Sequence, residues 1–194
     1  MAVGAGVNGP AVQDRVGALA LNEVNFCLIP EVPFGMEGSF GLYALLEQRL
    51  RQRNHAVIIV AEGAGQEYVA NMDGKKDESG NPALGDIGVF LKDSVKKYFK
   101  EHTDLYVNLK YIDPSYMVRS VPANAHDAIY CIQLAQNAVH AGMAGKTGMI
   151  IGQWGGQFTH VPIALATSRR KVLSPEDPLW LSVLESTGQP YKIG

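Results

Sequence analysis

The sequence has little of what marks nucleic-acid-binding and membrane proteins. It has 17 Lys and Arg residues against 19 Asp and Glu residues, a formal net charge of −2, and no block of basic residues. Binding to a phosphate backbone leaves a concentrated basic footprint, so we expect no nucleic-acid partner. The longest apolar run, AVIIVA at 56–61, is too short to cross a bilayer, so we expect no membrane span.

Cysteine is also scarce. Cys27 and Cys131 are the only two, and both lie in apolar runs. We expect both to be small core residues in a reducing compartment, because no disulfide framework supports a pair. The N-terminal stretch has no basic region ahead of a long apolar run, which argues against a secretory signal. These features together predict a soluble, cytoplasmic protein.

Common nucleotide- and metal-binding motifs are absent as well. The sequence has no GxxxxGK[ST] loop, no GxGxxG after a strand, no HExxH and no CxxC. His102, His140 and His160 show no metal-ligand spacing, so no metal site is predicted. The stretch AEGAGQ follows a strand pattern and could offer backbone N–H groups to a phosphate, although a tight turn that needs small residues explains it more simply.

The sequence does contain a regular alternation of strand and helix patterns. Hydrophobic residues make up 46% of the chain, enough for a buried core. Period-2 or continuous apolar patterns predict strands, and 3.6-residue periods predict helices. The strands are predicted at 24–29, 55–62 and 105–112, with two short ones in TGMIIGQ and FTHVPIA, and the helices at 39–53, 86–102, 127–145 and 175–187. This order is typical of an α/β layered fold with a mainly parallel sheet, in which 55–62 is a central strand.

Ligands of such sheets bind at the carboxyl ends of the strands. Three loops fall there: PEVPFGMEG, EGAGQ and DPSYMVRSVPANAHD. In the first, Glu31 stands between Pro30 and VPF, where a fixed carboxylate could accept hydrogen bonds from sugar hydroxyls, although a solvated loop Glu is the simpler interpretation of this residue alone.

The third loop and the strand before it combine positive charge with an aromatic side chain. Arg119 offers a planar fork of donors for phosphate oxygens, Lys110 a compact positive charge, and Tyr116 a phenolic donor. Asn124 with Asp127 predicts an N-cap that anchors the following helix. No combination of residues resembles a nucleophile with its base. The pattern therefore predicts a phosphosugar-binding half-site.

Five colinear blocks carry a family resemblance: NFCLIPEVPF, RNHAVIIVAEGAGQ, KYIDPSYMVRSVPANAHD, YCIQLAQNAVHAGMAGKTGMIIG and LWLSVLESTGQP. They resemble the C-terminal half of ATP-dependent 6-phosphofructokinases of the long plant, protist and bacterial branch. The resemblance implies an incomplete phosphofructokinase-like fold, with a divergent segment at 1–23 and the C-terminal, substrate-binding part at 24–194. It also implies cytoplasmic glycolysis and association with like or full-length subunits.

The family transfers a phosphoryl group from ATP, with Mg2+, to fructose 6-phosphate. By resemblance, Glu31 is a substrate-binding glutamate and a YMIR-type segment binds the sugar phosphate, with Val118 in place of the commoner Ile. That segment comprises Tyr116, Met117, Val118 and Arg119. Lys110 matches a basic residue that in relatives reaches substrate across a subunit interface.

The resemblance also implies parts that this sequence does not contain. It has no GGDGT-type loop, which in the family holds ATP phosphates and Mg2+, and no TIDND-type segment with the catalytic Asp. Phosphoryl transfer depends on those parts, so no catalytic residue is predicted here and the chain is expected to be inactive alone. Three alternatives stay open: a fragment of a pyrophosphate-dependent relative, a non-catalytic sugar-phosphate-binding or regulatory subunit, and an unrelated α/β domain.

Overall fold

The computed structural model describes residues 2–6 (backbone only), 24–69, 83–113, 120–169 and 172–194. The chain divides into two compact units, one formed by 1–119 with 173–194 and the other by 120–172. Within the described ranges, no helix combines the length and the apolar character needed to cross a bilayer.

The first unit contains both helices and strands, and in the second a helix precedes a hairpin. In chain order the elements are β1 (Ala2–Gly6), β2 (Phe26–Leu28), α1 (Leu42–Arg53), β3 (Ile58–Ala61), α2 (Gln66–Val69), α3 (Ile87–His102), β4 (Lys110–Tyr111), α4 (Ala125–Met143), β5 (Met149–Trp154), β6 (Gln157–Pro162), α5 (Ile163–Ala166) and α6 (Pro178–Thr187).

The first unit contains a four-stranded sheet in the order β2-β3-β1-β4, and every neighbouring pair is parallel. The predicted parallel sheet is therefore confirmed, as is the central position of β3. The predicted third strand, 105–112, is only partly right, because the ladder covers Lys110 and Tyr111 alone. Leu105, Val107 and Leu109 do pack against the core as their alternation predicts, but no described strand hydrogen-bonds to them.

The main core lies on the face of the sheet that carries α1 and α3. Phe26 and Leu28 of β2 and Ile58 and Val60 of β3 point to this face and are buried. The helices contribute apolar residues spaced three or four apart, which places them on one stripe of each helix. These are Leu42, Leu46 and Leu50 of α1 and Ile87, Leu91, Val95 and Phe99 of α3.

The opposite face of β2 is covered by α6. Cys27 alternates away from Phe26 and packs with Trp180 and Val183. Cys27 is 3% exposed, as predicted for a core residue, but Cys131 is exposed, so that part of the prediction is wrong. Cys131 lies in an apolar stretch of α4, but only one stripe of that helix is covered, and Cys131 does not lie on it.

The second unit consists of α4, the antiparallel β5–β6 hairpin and the short α5. The predicted cap of α4 is confirmed, since Asn124 Oδ1 accepts a hydrogen bond from the Asp127 N–H at 2.8 Å. Tyr130 of α4 stacks on Phe158 of β6, with ring centroids 5.9 Å apart. Among the described residues of this unit only Ala141 is buried, so its apolar side chains remain largely exposed.

The predicted terminal helix is also confirmed as α6. It begins at Pro178 because Asp177 Oδ1 accepts a hydrogen bond from the Leu179 N–H at 2.8 Å and a proline fits the first helical turn. It ends where Gly188 adopts a φ of 68°, the left-handed conformation that glycine accepts at no steric cost.

Candidate functional site

The candidate site is built at the carboxyl edge of the parallel sheet. The segment 29–36 follows β2 and the turn 62–65 follows β3, and these two segments are adjacent because their strands are paired. A Cβ added to Gly63 would lie 3.1 Å from Pro30 Cγ, which shows how closely the two loops approach. The sequence prediction that these loops share one edge is therefore confirmed by the sheet topology.

Glu31 is half-buried on the first of these loops. Its Oε1 accepts a hydrogen bond from the Leu173 N–H at 3.2 Å, which ties it to a residue 142 positions later in the chain. Its Oε2 makes no hydrogen bond to any residue within the described ranges. A carboxylate held in this way can accept hydrogen bonds from hydroxyl groups of a ligand through its second oxygen.

Side-chain bonds from the residues after β3 fix the neighbouring loops. Tyr68 donates its hydroxyl hydrogen to the Phe34 carbonyl at 2.7 Å. Gln66 Nε2 donates to the Gly85 carbonyl at 3.1 Å, while Gln66 Oε1 accepts from the Gly85 N–H at 2.9 Å. These bonds connect the loop after β2, the turn after β3 and the segment before α3. The sequence pattern does not predict these hydrogen bonds; it shows only that polar residues follow EGAG.

The segment before α3 is tied in turn to β4. Asp86 Oδ1 caps α3 by accepting from the Val89 N–H at 2.9 Å, and it also accepts from the Tyr111 hydroxyl at 3.4 Å. Burial raises the pKa of Tyr111, and the carboxylates of Asp86 and Asp113 raise it further. Gly88 makes room for the ring, because a Cβ there would lie 2.3 Å from Tyr111 Cε2. A glycine inside a helical pattern was the available sequence signal for this close contact.

Lys110 does not lie beside Glu31. It is exposed on β4, at the opposite edge of the sheet from β2, and three strand spacings make roughly 14 Å. The two residues also differ in position along the strand direction. Phe26 of β2 and Tyr111 of β4 lie at the same level across the sheet; Lys110 precedes that level by one residue, whereas Glu31 follows it by five. The other four predicted site residues, Tyr116, Met117, Val118 and Arg119, lie outside the described residues.

The turn after β3 is the place where a glycine-rich phosphate cradle could form, but its glycines pack against the protein. A Cβ on Gly65 would lie 2.9 Å from both Ile87 Cδ1 and Phe34 Cζ. Within the described ranges no three His, Cys, Asp or Glu side chains group in a way that could hold a metal ion. The glycine-rich turn is thus better explained by packing than by phosphate binding.

A model of the family described as Phosphofructokinase matches residues 15–142. The chain belongs to the phosphofructokinase family. An ATP-dependent 6-phosphofructokinase from Borreliella burgdorferi is 50% identical over 182 residues, covering 91% of this chain and 40% of the relative. A relative of the same name from Amycolatopsis methanolica is 45% identical over 183 residues, again 91% of this chain and 40% of its own length.

A plant relative from Arabidopsis thaliana, ATP-dependent 6-phosphofructokinase 4, chloroplastic, is 43% identical over 178 residues, which is 90% of this chain and 34% of the relative. This phosphofructokinase chain therefore spans about two fifths or less of the curated relatives that it matches.

Solved phosphofructokinase structures share the fold. The Pichia pastoris enzyme in the T-state matches with a TM-score of 0.53 and 20% identity, over 96% of this chain and 19% of that chain. The Saccharomyces cerevisiae enzyme matches with a TM-score of 0.51 and 20% identity, over 96% and 23%. At this identity the match supports the phosphofructokinase fold, which confirms the predicted fold class.

Proposed function

We propose that this chain is the substrate-binding part of an ATP-dependent 6-phosphofructokinase and binds fructose 6-phosphate. The observation that carries the proposal is the 50% identity over 182 residues to a relative of that name. Glu31, half-buried with one carboxylate oxygen held by a backbone N–H, would receive sugar hydroxyls through the other oxygen. Arg119 and Tyr116, with Met117 and Val118 between them, would receive the phosphate, on the strength of the family resemblance.

Calorimetry with fructose 6-phosphate, and in parallel with fructose, tests this assignment. Arg119→Ala should weaken binding of the phosphorylated sugar by about 10- to 100-fold, since a charge-assisted hydrogen bond contributes about 1.5–3 kcal/mol. It should leave the weak binding of fructose unchanged. Glu31→Gln should weaken both ligands together. The exposed Arg53→Ala on α1 is the matched control and should change neither. Equal affinity of native protein and Arg119→Ala for fructose 6-phosphate would contradict the proposal.

We also propose that the chain does not phosphorylate the sugar by itself. The sequence contains neither a GGDGT-type loop nor a TIDND-type segment, and phosphoryl transfer requires positioned phosphates, metal and base. A coupled assay with ATP, Mg2+ and fructose 6-phosphate should show no turnover above that of the Glu31→Gln protein. Turnover that copurifies with the native chain and disappears in Glu31→Gln would show that catalytic parts are present.

The relatives reported above are named ATP-dependent, which favours ATP over pyrophosphate as the donor of the whole enzyme. We propose a cytoplasmic location, as in the sequence prediction, although the plant relative is chloroplastic by name. We further propose that the chain associates with a copy of itself or with full-length subunits. The support is the exposed apolar surface of the second unit, where Ile129 is 59% exposed and Trp154 81%.

A further inference from the structure

The segment 189–194, which follows α6, contacts the chain on both sides of Glu31. The first contact precedes Glu31: the side-chain amide of Gln189 accepts a hydrogen bond from the Cys27 N–H at 2.6 Å and donates one to the Cys27 carbonyl at 3.2 Å. Gln189 is buried, so both bonds are shielded from water. The chain is thus fixed four residues before Glu31.

The second contact follows Glu31. Phe34 and Ile193 form a parallel bridge, and the Ile193 carbonyl accepts a hydrogen bond from the Gly35 N–H at 2.6 Å. Both bridge residues are buried. Gly194 packs against the same part of the loop, because a Cβ built on Gly194 would lie 2.7 Å from Gly35 Cα. The chain is thus fixed again three to four residues after Glu31.

The two contacts limit how far the chain between them can extend. From Gln189 to Ile193 the segment advances four residues, which reach about 14 Å when fully extended. From Cys27 to Phe34 the chain advances seven residues, which would reach about 24 Å. Even with the Gln189 side chain added to the shorter stretch, the longer one cannot run straight between the same two contacts.

A tight turn takes up the excess, and Glu31 lies in it. The Val32 N–H donates to the Ile29 carbonyl at 3.3 Å, which closes the turn around Pro30 and Glu31. Proline favours the first of these two central positions, because its ring fixes φ near the value needed there. The Glu31 carboxylate is held in turn by the Leu173 N–H at 3.2 Å. The position of the carboxylate therefore depends on the span that the two contacts set.

We propose that the 189–194 segment positions Glu31 for recognition of the sugar hydroxyls, and that Ile193 and Gly194 are positioning residues. The inference rests on the proposed binding of fructose 6-phosphate through Glu31 and adds the residues that keep this carboxylate in place. Hydrogen bonds weaken steeply once their distance or angle is lost, so a loop displaced by about 1 Å gives up much of the affinity that Glu31 supplies. The segment thus acts on the sugar through Glu31, and this distinguishes it from a general contribution to stability.

Gly194→Ala tests the contact without removing a buried side chain. Gly194 has a φ of 107°, and a Cβ there would also lie 2.7 Å from the Gly35 nitrogen, so alanine pushes the segment away from the loop. In calorimetry the affinity for fructose 6-phosphate should fall by about 10-fold, since a hydrogen bond to a charged group is lost. Gly145→Ala is the matched control, because Gly145 has a φ of 73° but no atom beyond its chain neighbours within 4 Å of a Cβ built there. The control should change the affinity by less than about 2-fold, and equal effects of the two variants would contradict the proposal.

Ile193→Ala tests the same contact through its buried side chain. It should weaken binding to a similar degree, while Ile193→Val, which keeps a branched side chain, should stay within about 3-fold of the native affinity. Leu50→Ala is the matched control, because it removes a buried aliphatic side chain of the same size from the same core cluster, about 12 Å along α1 from the end that the loop enters. Leu50→Ala should leave the affinity unchanged. Equal losses in Leu50→Ala and Ile193→Ala would show general destabilisation and overturn the proposal.

A double-mutant cycle with Glu31→Gln tests whether the segment acts through Glu31. Glu31→Gln alone should weaken binding of fructose 6-phosphate by about 10- to 100-fold, because it removes the charge from the hydrogen bond. In that background Gly194→Ala should weaken binding further by less than about 2-fold, since the group that it displaces no longer contributes. Additive losses would mean that the segment acts by another route, and the proposal would be wrong.

Hydrogen exchange of the Leu173 amide gives a measurement that needs no ligand. Gly194→Ala should speed this exchange by about 10-fold, because the Glu31 acceptor moves away, whereas Gly145→Ala should not. Native exchange in Gly194→Ala, with weaker sugar binding in Glu31→Gln, would leave the proposed function intact and refute the positioning. Faster exchange, with no effect of Glu31→Gln on sugar binding, would mean that the segment holds Glu31 but that Glu31 does not bind the sugar. The proposed role of Glu31 and this inference would then both fail.

Discussion

At the outer edge of β2, the side chain of Gln189 hydrogen-bonds to the strand backbone, and its removal should lower the free energy of unfolding. Gln189 is 8% exposed, its Oε1 accepts a hydrogen bond from the Cys27 N–H at 2.6 Å, and its Nε2 donates to the Cys27 carbonyl at 3.2 Å. The amide thus occupies the position of a neighbouring strand on a sheet edge that would otherwise bury two unpaired backbone groups.

Gln189→Met keeps the length of the side chain and removes both hydrogen bonds. Each buried backbone group left without a partner costs about 1–3 kcal/mol, so the sum is about 2–6 kcal/mol. Partial access of water at a sheet edge lowers the expected loss in the free energy of unfolding to about 2–4 kcal/mol. With a urea m-value of about 2 kcal/mol/M, the midpoint should fall by about 1–2 M.

Trp180 is 1% exposed and packs with Cys27, so its fluorescence reports the unfolding of this region. Trp154 is 81% exposed, and a Trp154→Phe background removes its signal. Gln48→Met on exposed α1 surface is the matched control and should shift the midpoint by less than about 0.3 M. A loss below about 0.5 kcal/mol in Gln189→Met would mean that water pairs the two backbone groups equally well, and the proposed role of Gln189 would be refuted.

The remaining predictions concern two helical glycines and two thiols. Gly88→Ala should lower the free energy of unfolding by about 1–3 kcal/mol, and with it the thermal midpoint, because its Cβ would lie 2.3 Å from Tyr111 Cε2. Gly142→Ala should raise the free energy of unfolding by up to about 1 kcal/mol, because outside the helix's own backbone its Cβ would meet no atom within 4 Å. Shifts of the same sign in both variants would contradict the packing described. A thiol reagent should modify Cys131 at once and Cys27 only on unfolding. Burial raises the pKa of the Cys27 thiol from 9.0 to about 12. Between those pH values the unfolded chain loses a proton that the folded chain keeps, so rising pH favours unfolding. In denaturant titrations the native protein should therefore lose stability relative to Cys27→Ala as the pH rises through that range.

The sequence predicts features that depend on local pattern. A continuous apolar run predicts strand β3, and Asn124 with Asp127 predicts the start of α4. Each of these signals lies within a few residues of the structure that it specifies, so no tertiary information was needed.

Features that depend on distant partners could not be predicted in this way. Gln189 and Cys27 are 162 residues apart, and Glu31 and Leu173 are 142 apart. Cys131 and Cys27 have equally apolar neighbours, yet the burial of each depends on which helix face or strand face another element covers. For the candidate site, the sequence predicted that two loops share one sheet edge, which the topology confirms, while the role of Glu31 stays a prediction. It did not predict the hydrogen bonds of Gln66 and Tyr68 that hold those loops.

Some residues in apolar sequence patterns are not buried in the structure, and their positions indicate where further contacts form. Ile58 and Val60 of β3 are fully buried, whereas Ile59, on the other face of the same strand, is only half-buried. In α4 four apolar side chains are more than half exposed, although a helix normally places such residues against a neighbour; these are Ile129, Ile132, Val139 and Met143. Exposed apolar stripes with regular spacing are more typical of interaction surfaces than of solvated faces. The same physical rule that locates the core of the first unit therefore locates the surface on the second where a further contact is expected.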